Sequence, residues 1–93
     1  MSNDKIKSEL RQVLARAKGL QQGLVAGMPV TRQVWEPYVR LVQRVEQATR
    51  ESLSDLRQFR PDGEGYIADW ELRPQLLQFI ALLEQADTSE EVV

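Results

Sequence analysis

Six basic side chains fall at helical spacing along the first two thirds of the chain and could bind phosphate groups. They occupy one side of each of two predicted helices: Lys7, Arg11 and Lys18 on the first, and Arg40, Arg44 and Arg57 on the second. Side by side, they could neutralise the phosphates of a nucleic acid. The isoelectric point of about 5.1 and the lack of aromatic residues among them count against this function. A nucleic-acid-binding regulator is therefore an alternative interpretation.

Carboxylates between residues 60 and 71 suggest a second chemistry. Asp62, Glu64 and Glu71 stand at the third, fifth and twelfth positions of this stretch, with a glycine at the sixth. In this spacing the stretch resembles an EF-hand calcium loop, in which the glycine permits a sharp turn and the last glutamate chelates calcium. The resemblance implies a calcium site as a second alternative function. Arg60 departs from the family, whose first position is an aspartate.

The chain contains no Cys and no His. These absences exclude disulfides, thiol nucleophiles, triads that use histidine and the usual zinc sites. Glu36, Asp69 and Glu71 lie near predicted helix starts, where the helix dipole favours acidic side chains, and we interpret them as structural. We therefore expect no catalysis and no cofactor, and we infer no small-molecule substrate.

The N-terminal sequence has no apolar signal segment, and no stretch approaches the roughly 18 consecutive apolar residues of a membrane span. We therefore expect a cytoplasmic protein without membrane contact. The net charge of −2 conceals an asymmetry, since residues 1–50 carry +5 and residues 51–93 carry −7. This asymmetry indicates either that the halves pack on each other, within or between chains, or that the basic half contacts nucleic acid.

Two long helices are predicted from apolar residues that recur three or four positions apart. The first spans residues 3–26, and a glycine followed by a proline ends it. The second spans residues 37–59, because a proline is tolerated only in the first turn of a helix. A kink near Ser52 is an alternative, since the sequence there could cap a new helix.

Small residues recur every four positions in the first predicted helix: Ala15, Gly19, Gly23 and Gly27. Each glycine costs a helix about 1 kcal/mol relative to alanine. Two interpretations stay open. The line of small residues forms a groove that admits a bulky group, or the helix frays after Lys18.

The most apolar segment of the chain is a predicted third helix over residues 72–86. One dense face consists of Leu76, Phe79, Ile80 and Leu83. Further apolar residues lie elsewhere around the helix, and a helix that is apolar most of the way round is normally buried. A second molecule is expected to cover the surplus, and symmetric homodimers are the commonest soluble oligomers. We predict an interface centred on Leu77, Ala81 and Leu82 and flanked by Trp70 and Phe79.

The sequence predicts an all-α fold, a small antiparallel three-helix bundle of two long helices plus a C-terminal helix, in dimeric form. Residues 1–86 are expected to form a single helical domain, and residues 87–93 a disordered acidic tail. Trp35 and Trp70 are expected to plug the ends of the core. The leading interpretation is a cytoplasmic protein that acts through protein–protein contact, as an adaptor, inhibitor or regulatory subunit. Its partners would be itself and another protein.

Overall fold

The computed structural model of the chain describes residues 2–88. The structure contains three α-helices and a short 3-10 helix: α1 (Ser2–Gln22), α2 (Arg32–Thr49), the 3-10 helix (Ser54–Arg57) and α3 (Asp69–Thr88). Across residues 2–88 the only extended pairing is one antiparallel bridge between Val30 and Ile67. The predicted all-α fold with three packed helices is therefore confirmed.

The helix directions differ from those of the predicted bundle. Leu10, in the first half of α1, lies beside Val45 and Leu83 in the second halves of α2 and α3, and Gly27, after the end of α1, is bonded to Asp69 at the start of α3. Thus α1 runs antiparallel to both other helices. The starts of α2 and α3 lie together, because the residues just before them form the Val30–Ile67 bridge. These two helices therefore run in the same general direction. Residues 50–68 connect them by returning from the end of α2 to the loop region at its start, whereas a short turn between antiparallel helices was predicted.

One core lies between the three helices and the 3-10 helix. Its fully buried side chains include Val13 of α1, Tyr38 and Val42 of α2, and Phe79 of α3. The ring of Phe79 meets that of Tyr38 edge-on, with the centroids 5.6 Å apart. The dense face predicted for the third helix lies entirely in this core, with its four members at most 6% exposed.

The second helix ends at Thr49, well before its predicted end. Arg50 adopts a left-handed conformation with φ 61°, and its N–H donates to the Glu46 carbonyl at 2.7 Å. The Glu46 carboxylate accepts hydrogen bonds from Arg57 Nε at 2.9 Å and from the Leu53 N–H at 2.7 Å. These donors lower the pKa of Glu46, because they stabilise its ionised form. The chain therefore reverses around Glu46 instead of continuing as a helix.

The apolar residues that extended the predicted second helix pack on the core from an irregular segment. Leu56 is buried in the 3-10 helix, and its carbonyl accepts the hydrogen bond of the Tyr38 hydroxyl. Burial raises the pKa of that hydroxyl. Phe59 packs against Trp35 and Tyr38, with ring centroids 5.8 and 6.3 Å apart. Their helical spacing was thus a correct sign of burial and a wrong sign of a helix.

Two of the four prolines lie within helices rather than at their first positions. Pro37 is in α2 and Pro74 is in α3, each in the second turn. A proline removes the hydrogen bond to the carbonyl four residues earlier. That carbonyl belongs to Gln33 in α2 and to Trp70 in α3, the second residue of each helix, and both residues are exposed. The lost bond is therefore at a helix end that water reaches, and both helices begin earlier than predicted.

The other boundaries shift by a few residues. The first helix ends at Gln22 and not near residue 26, so it does not fray after Lys18. The third helix continues through Thr88, two residues into the predicted tail. The rest of that tail, residues 89–93, lies outside the described residues.

Candidate functional site

The end of the molecule where α2 and α3 begin is held together by hydrogen bonds between distant segments. We call it the loop end. Val30 and Ile67 exchange backbone N–H bonds of 2.7 and 2.9 Å. The Gly27 N–H donates to Asp69 Oδ1 at 3.3 Å, which connects the first loop to the start of α3. These bonds fix the first turn of α3, and with it the direction in which Trp70 projects.

The outward side of α3 carries a line of apolar residues that starts at the loop end. Trp70, Pro74, Leu77 and Ala81 fall within about 60° of one another at 100° per residue, and we call them the α3 stripe. Phe79 lies nine residues after Trp70, half a turn away, and is completely buried. The stripe therefore faces away from the core. Trp70 is 73% exposed and Leu77 is 43% exposed.

Two more exposed apolar residues adjoin the stripe at the loop end. Met28 and Tyr66 line a shallow depression together with Trp70, and Met28 is 57% exposed. Gly65 precedes Tyr66 with φ 86°, a conformation that glycine adopts without strain, so the turn presents Tyr66 at the surface. The apolar surface thus continues beyond α3. Met28 and Tyr66 were not predicted as part of this surface, because their separation of 38 positions along the chain gives no local pattern.

The predicted interface residues are divided between three places. Trp70, Leu77 and Ala81 are exposed on the α3 stripe. Leu82 is 40% exposed but borders a separate small depression beside Leu53. Phe79 was predicted to flank the interface, yet it lies in the core of its own chain and cannot reach a partner in this fold.

The two tryptophans, which were predicted to plug the core ends, have different environments. Trp35 is partly buried against the core, and its Nε1–H donates to the Gly65 carbonyl at 2.8 Å. Trp70 does not plug the core, because most of its side chain faces solvent. A large exposed aromatic side chain is a frequent anchor of protein interfaces.

Charged side chains border the α3 stripe and leave its middle uncharged. Arg73 pairs with Asp69 at 3.3 Å on one border. Near the other end, Glu84 pairs with Lys18 of α1 at 3.1 Å. Between Trp70 and Ala81 the outward positions hold only apolar residues and Gln78. An uncharged centre with charges at its border is the usual composition of an interface core and rim.

The six basic residues predicted to contact nucleic acid do not form one surface. Lys18 pairs with Glu84 of α3, whereas Arg44 of α2 pairs with Glu9 of α1 at 2.5 Å. Lys18 and Glu9 are nine residues apart, which places them half a turn apart on α1. Lys7, Arg11 and Lys18 therefore lie on the flank of α1 that faces α3, whereas Arg44 contacts the opposite flank of α1, which faces α2.

The remaining basic residues of that set are similarly dispersed. Lys7 and Arg11 line a shallow depression on α1. Arg40 and Arg57 are paired with acidic residues of α2, at 2.7 and 2.9 Å. A continuous strip that could follow a phosphate backbone is not formed.

The EF-hand-like stretch does not bring its predicted calcium ligands together. Asp62 Oδ1 accepts the backbone N–H groups of Tyr66 and Glu64, each at 2.9 Å, and these bonds lower the pKa of Asp62. Glu71 lines a depression beside Arg60, and Asp62 lines a different one. Among the described residues, no three acidic side chains are grouped so that they could hold a metal ion. The Asp62 carboxylate instead stabilises the turn by accepting these backbone hydrogen bonds.

No protein-family model, curated protein or solved structure matches this chain. In the part of the chain that the structure describes, every helix is too short or too polar to cross a lipid bilayer. The candidate site is therefore defined by its geometry alone: an uncharged apolar surface on α3 with Trp70 at one end.

Proposed function

We propose that this chain is a non-catalytic, cytoplasmic protein that acts by protein–protein contact, as an adaptor, inhibitor or regulatory subunit. Its binding surface would be the α3 stripe with the adjoining Met28 and Tyr66. The observation that carries this proposal is the 73% exposure of Trp70 at the end of a line of outward apolar residues. Extended exposed apolar surface is uncommon on soluble monomers and usually marks a contact site.

The first occupant that we propose for this surface is a second copy of the chain. A symmetric pair requires a surface that is complementary to itself. If two copies of α3 pack antiparallel with the axis at the level of residue 79, Leu77 of each copy meets Ala81 of the other. The same arrangement brings Arg73 of each copy close to Glu84 of the other, since these residues lie six and five positions from the centre. In this arrangement a large apolar side chain meets a small one, and a basic side chain lies near an acidic one, so the surface is complementary to itself.

The pairing is expected to be concentration-dependent. Interfaces that bury less than about 1,200 Å² in total are typical of transient complexes, and the stripe covers only three turns of one helix. A transient pair would leave the surface available for a different protein, as expected of an adaptor or regulatory subunit.

Sedimentation equilibrium over a concentration series tests the proposal. The wild-type chain should shift from the mass of one chain to that of two. Leu77→Glu should keep the mass of one chain throughout, because the carboxylate would be buried without a partner. Gln43→Glu is the matched control, since it adds the same charge at an exposed position of α2, and it should pair like the wild type.

Trp70 gives an independent readout. In a Trp35→Phe background, its fluorescence emission should move to shorter wavelength as the concentration rises, because the indole leaves water on pairing. Circular dichroism melting curves would establish that each variant is folded. A wild-type chain of single-chain mass at the highest concentration, or a Leu77→Glu variant that still pairs, would contradict the proposed dimer.

A further inference from the structure

A cleft between α1 and α2 has the composition of a binding site and lies outside the surface proposed above. Its volume is about 490 Å³, within the range of about 300–1,000 Å³ that small-molecule sites occupy. The floor consists of Leu20, Pro37 and Leu41, and the rim of Arg16, Arg40 and Arg44. None of these residues belongs to α3.

The cleft is open at Gly19, where the fold does not require a glycine. This residue lies inside α1, and its φ is not in the left-handed range. A Cβ added there would meet no atom within 4 Å, so no neighbour approaches closely. A glycine inside a helix costs about 1 kcal/mol relative to alanine. The visible effect of its missing side chain is to leave space above the apolar floor.

The rim keeps a positive charge in a protein whose net charge is −2. Glu36 is shared by Arg40 at 2.7 Å and Arg32 at 3.6 Å, so it neutralises only one of them. Arg16 makes none of the hydrogen bonds or ion pairs found among the described residues. An anion in the cleft could therefore bind Arg16 without breaking an existing pair.

The third rim residue is already oriented. The guanidinium of Arg44 donates to Glu9 Oε1 through Nε at 2.8 Å and through a terminal nitrogen. This fixes the plane of the group and leaves its other N–H donors unused in that contact. Arg40 lies one turn earlier on α2, and Arg16 approaches from α1. Donors from two helices thus surround the mouth of the cleft above an apolar floor.

We propose that this cleft binds an amphiphilic phosphate, that is, a phosphate group attached to an alkyl chain. The chain would lie over Leu20, Pro37 and Leu41, and the phosphate oxygens would accept hydrogen bonds from Arg16 and Arg40. Guanidinium groups match phosphate oxygens in geometry and in charge. Both parts of the ligand are needed for tight binding. An inorganic phosphate would leave the apolar floor exposed to water, and an alcohol would give the arginines no anion to bind.

Calorimetric titration of the full chain with octyl phosphate, below the concentration at which it forms micelles, tests the proposal. Octyl phosphate should bind, while inorganic phosphate and octanol should each bind at least about tenfold more weakly, since inorganic phosphate loses the burial of the alkyl chain and octanol loses the charged hydrogen bonds. Octyl phosphate that binds no more tightly than inorganic phosphate and octanol would overturn the proposal.

Two variants with a matched control locate the site. Gly19→Leu should abolish octyl phosphate binding without lowering the melting temperature, since its side chain fills the cleft and favours the helix. Arg16→Gln should weaken binding about tenfold and leave folding unchanged. Arg60→Gln removes the same charge at an exposed position outside the cleft, and it should bind within about twofold of the wild type. If Gly19→Leu does not fold, Arg16→Gln still tests whether octyl phosphate binds in the cleft. Unchanged binding in either folded variant would overturn the assignment.

Vesicle cosedimentation distinguishes the two sources of such a phosphate. Phosphatidylcholine vesicles that contain phosphatidic acid should retain the wild-type chain, and not Gly19→Leu, if the source is a lipid headgroup. If the source is a soluble phosphate ester, octyl phosphate binds and these vesicles do not. Both results support the cleft as the site, and binding to neither ligand refutes it.

Discussion

The second and third helices begin in the same way and present opposite surfaces. Each follows a residue of the Val30–Ile67 bridge, carries a tryptophan in its first turns and contains a proline in its second turn. Beyond these starts, the exposed side of α2 carries polar residues such as Gln43, Gln47 and Arg40, whereas that of α3 carries the apolar stripe. The difference shows that a shared local design sets where each helix begins, while the composition of its outer face varies independently of that design.

The buried faces of α2 and α3 should both be needed for stability. Replacement of Phe79 in the buried face of α3 should have the largest effect on the free energy of unfolding. Phe79→Ala removes a completely buried ring that packs on Tyr38 and leaves a cavity. We expect the free energy of unfolding to fall by about 3–5 kcal/mol, as measured by urea denaturation followed by circular dichroism. A loss below about 1 kcal/mol would contradict the buried position of this ring.

The two tryptophans test the comparison at the helix starts. Trp35→Ala should lower the free energy of unfolding by about 2–3 kcal/mol, since it removes a packed ring and leaves the Gly65 carbonyl without its donor. Trp70→Ala should change it by less than about 0.5 kcal/mol, because that side chain faces solvent. Urea denaturation at a concentration where the chain is monomeric measures both. Equal losses of unfolding free energy in the two variants would contradict the different environments of the two tryptophans.

The end of α2 should depend on pH through Glu46. Glu46→Gln should lower the free energy of unfolding by about 1–2 kcal/mol at neutral pH, because its carboxylate accepts charged and backbone donors. The pKa of Glu46 is lowered in the folded state. Its stabilisation is therefore complete above the pKa of the unfolded chain, and it is lost as the pH falls through the folded value. The stabilities of wild type and variant should converge as the pH falls below the ordinary titration range of glutamate, and a difference that stays constant with pH would refute this role.

The smallest expected effect concerns the loop that precedes α3. Millimolar calcium should leave the melting temperature unchanged, because Asp62 is bound to backbone N–H groups and a ligand that does not bind the folded state cannot stabilise it. Magnesium serves as the ionic-strength control. A rise in melting temperature with calcium alone would mean that the loop rearranges to bind the ion.

Sequence patterns were sufficient where burial alone decides the structure. The periodicity of Leu76, Phe79, Ile80 and Leu83 identified the inner face of α3 correctly, because a helix with a dense apolar face must bury it. The periodicity of Leu53, Leu56 and Phe59 was misleading, since an irregular segment folded back on the core buries residues at the same spacing. Periodicity reports which residues are buried and does not specify the backbone that carries them.

The candidate site was only partly accessible from sequence. Leu77 and Trp70 could be recognised as surplus apolar residues of one helix. The contribution of Met28 could not, because it depends on which loops meet at the loop end. The α1–α2 cleft was hinted at by the spacing of Gly19, yet the approach of Arg16 to the arginines of α2 follows from how the helices pack.

The Val30–Ile67 bridge allows local opening at the helix starts to be followed by amide hydrogen exchange. Each amide hydrogen of this pair is held by the opposite carbonyl, and deuterium can replace it only when the two segments separate. The rates at which these two amides exchange therefore report the free energy needed to separate the paired helix starts.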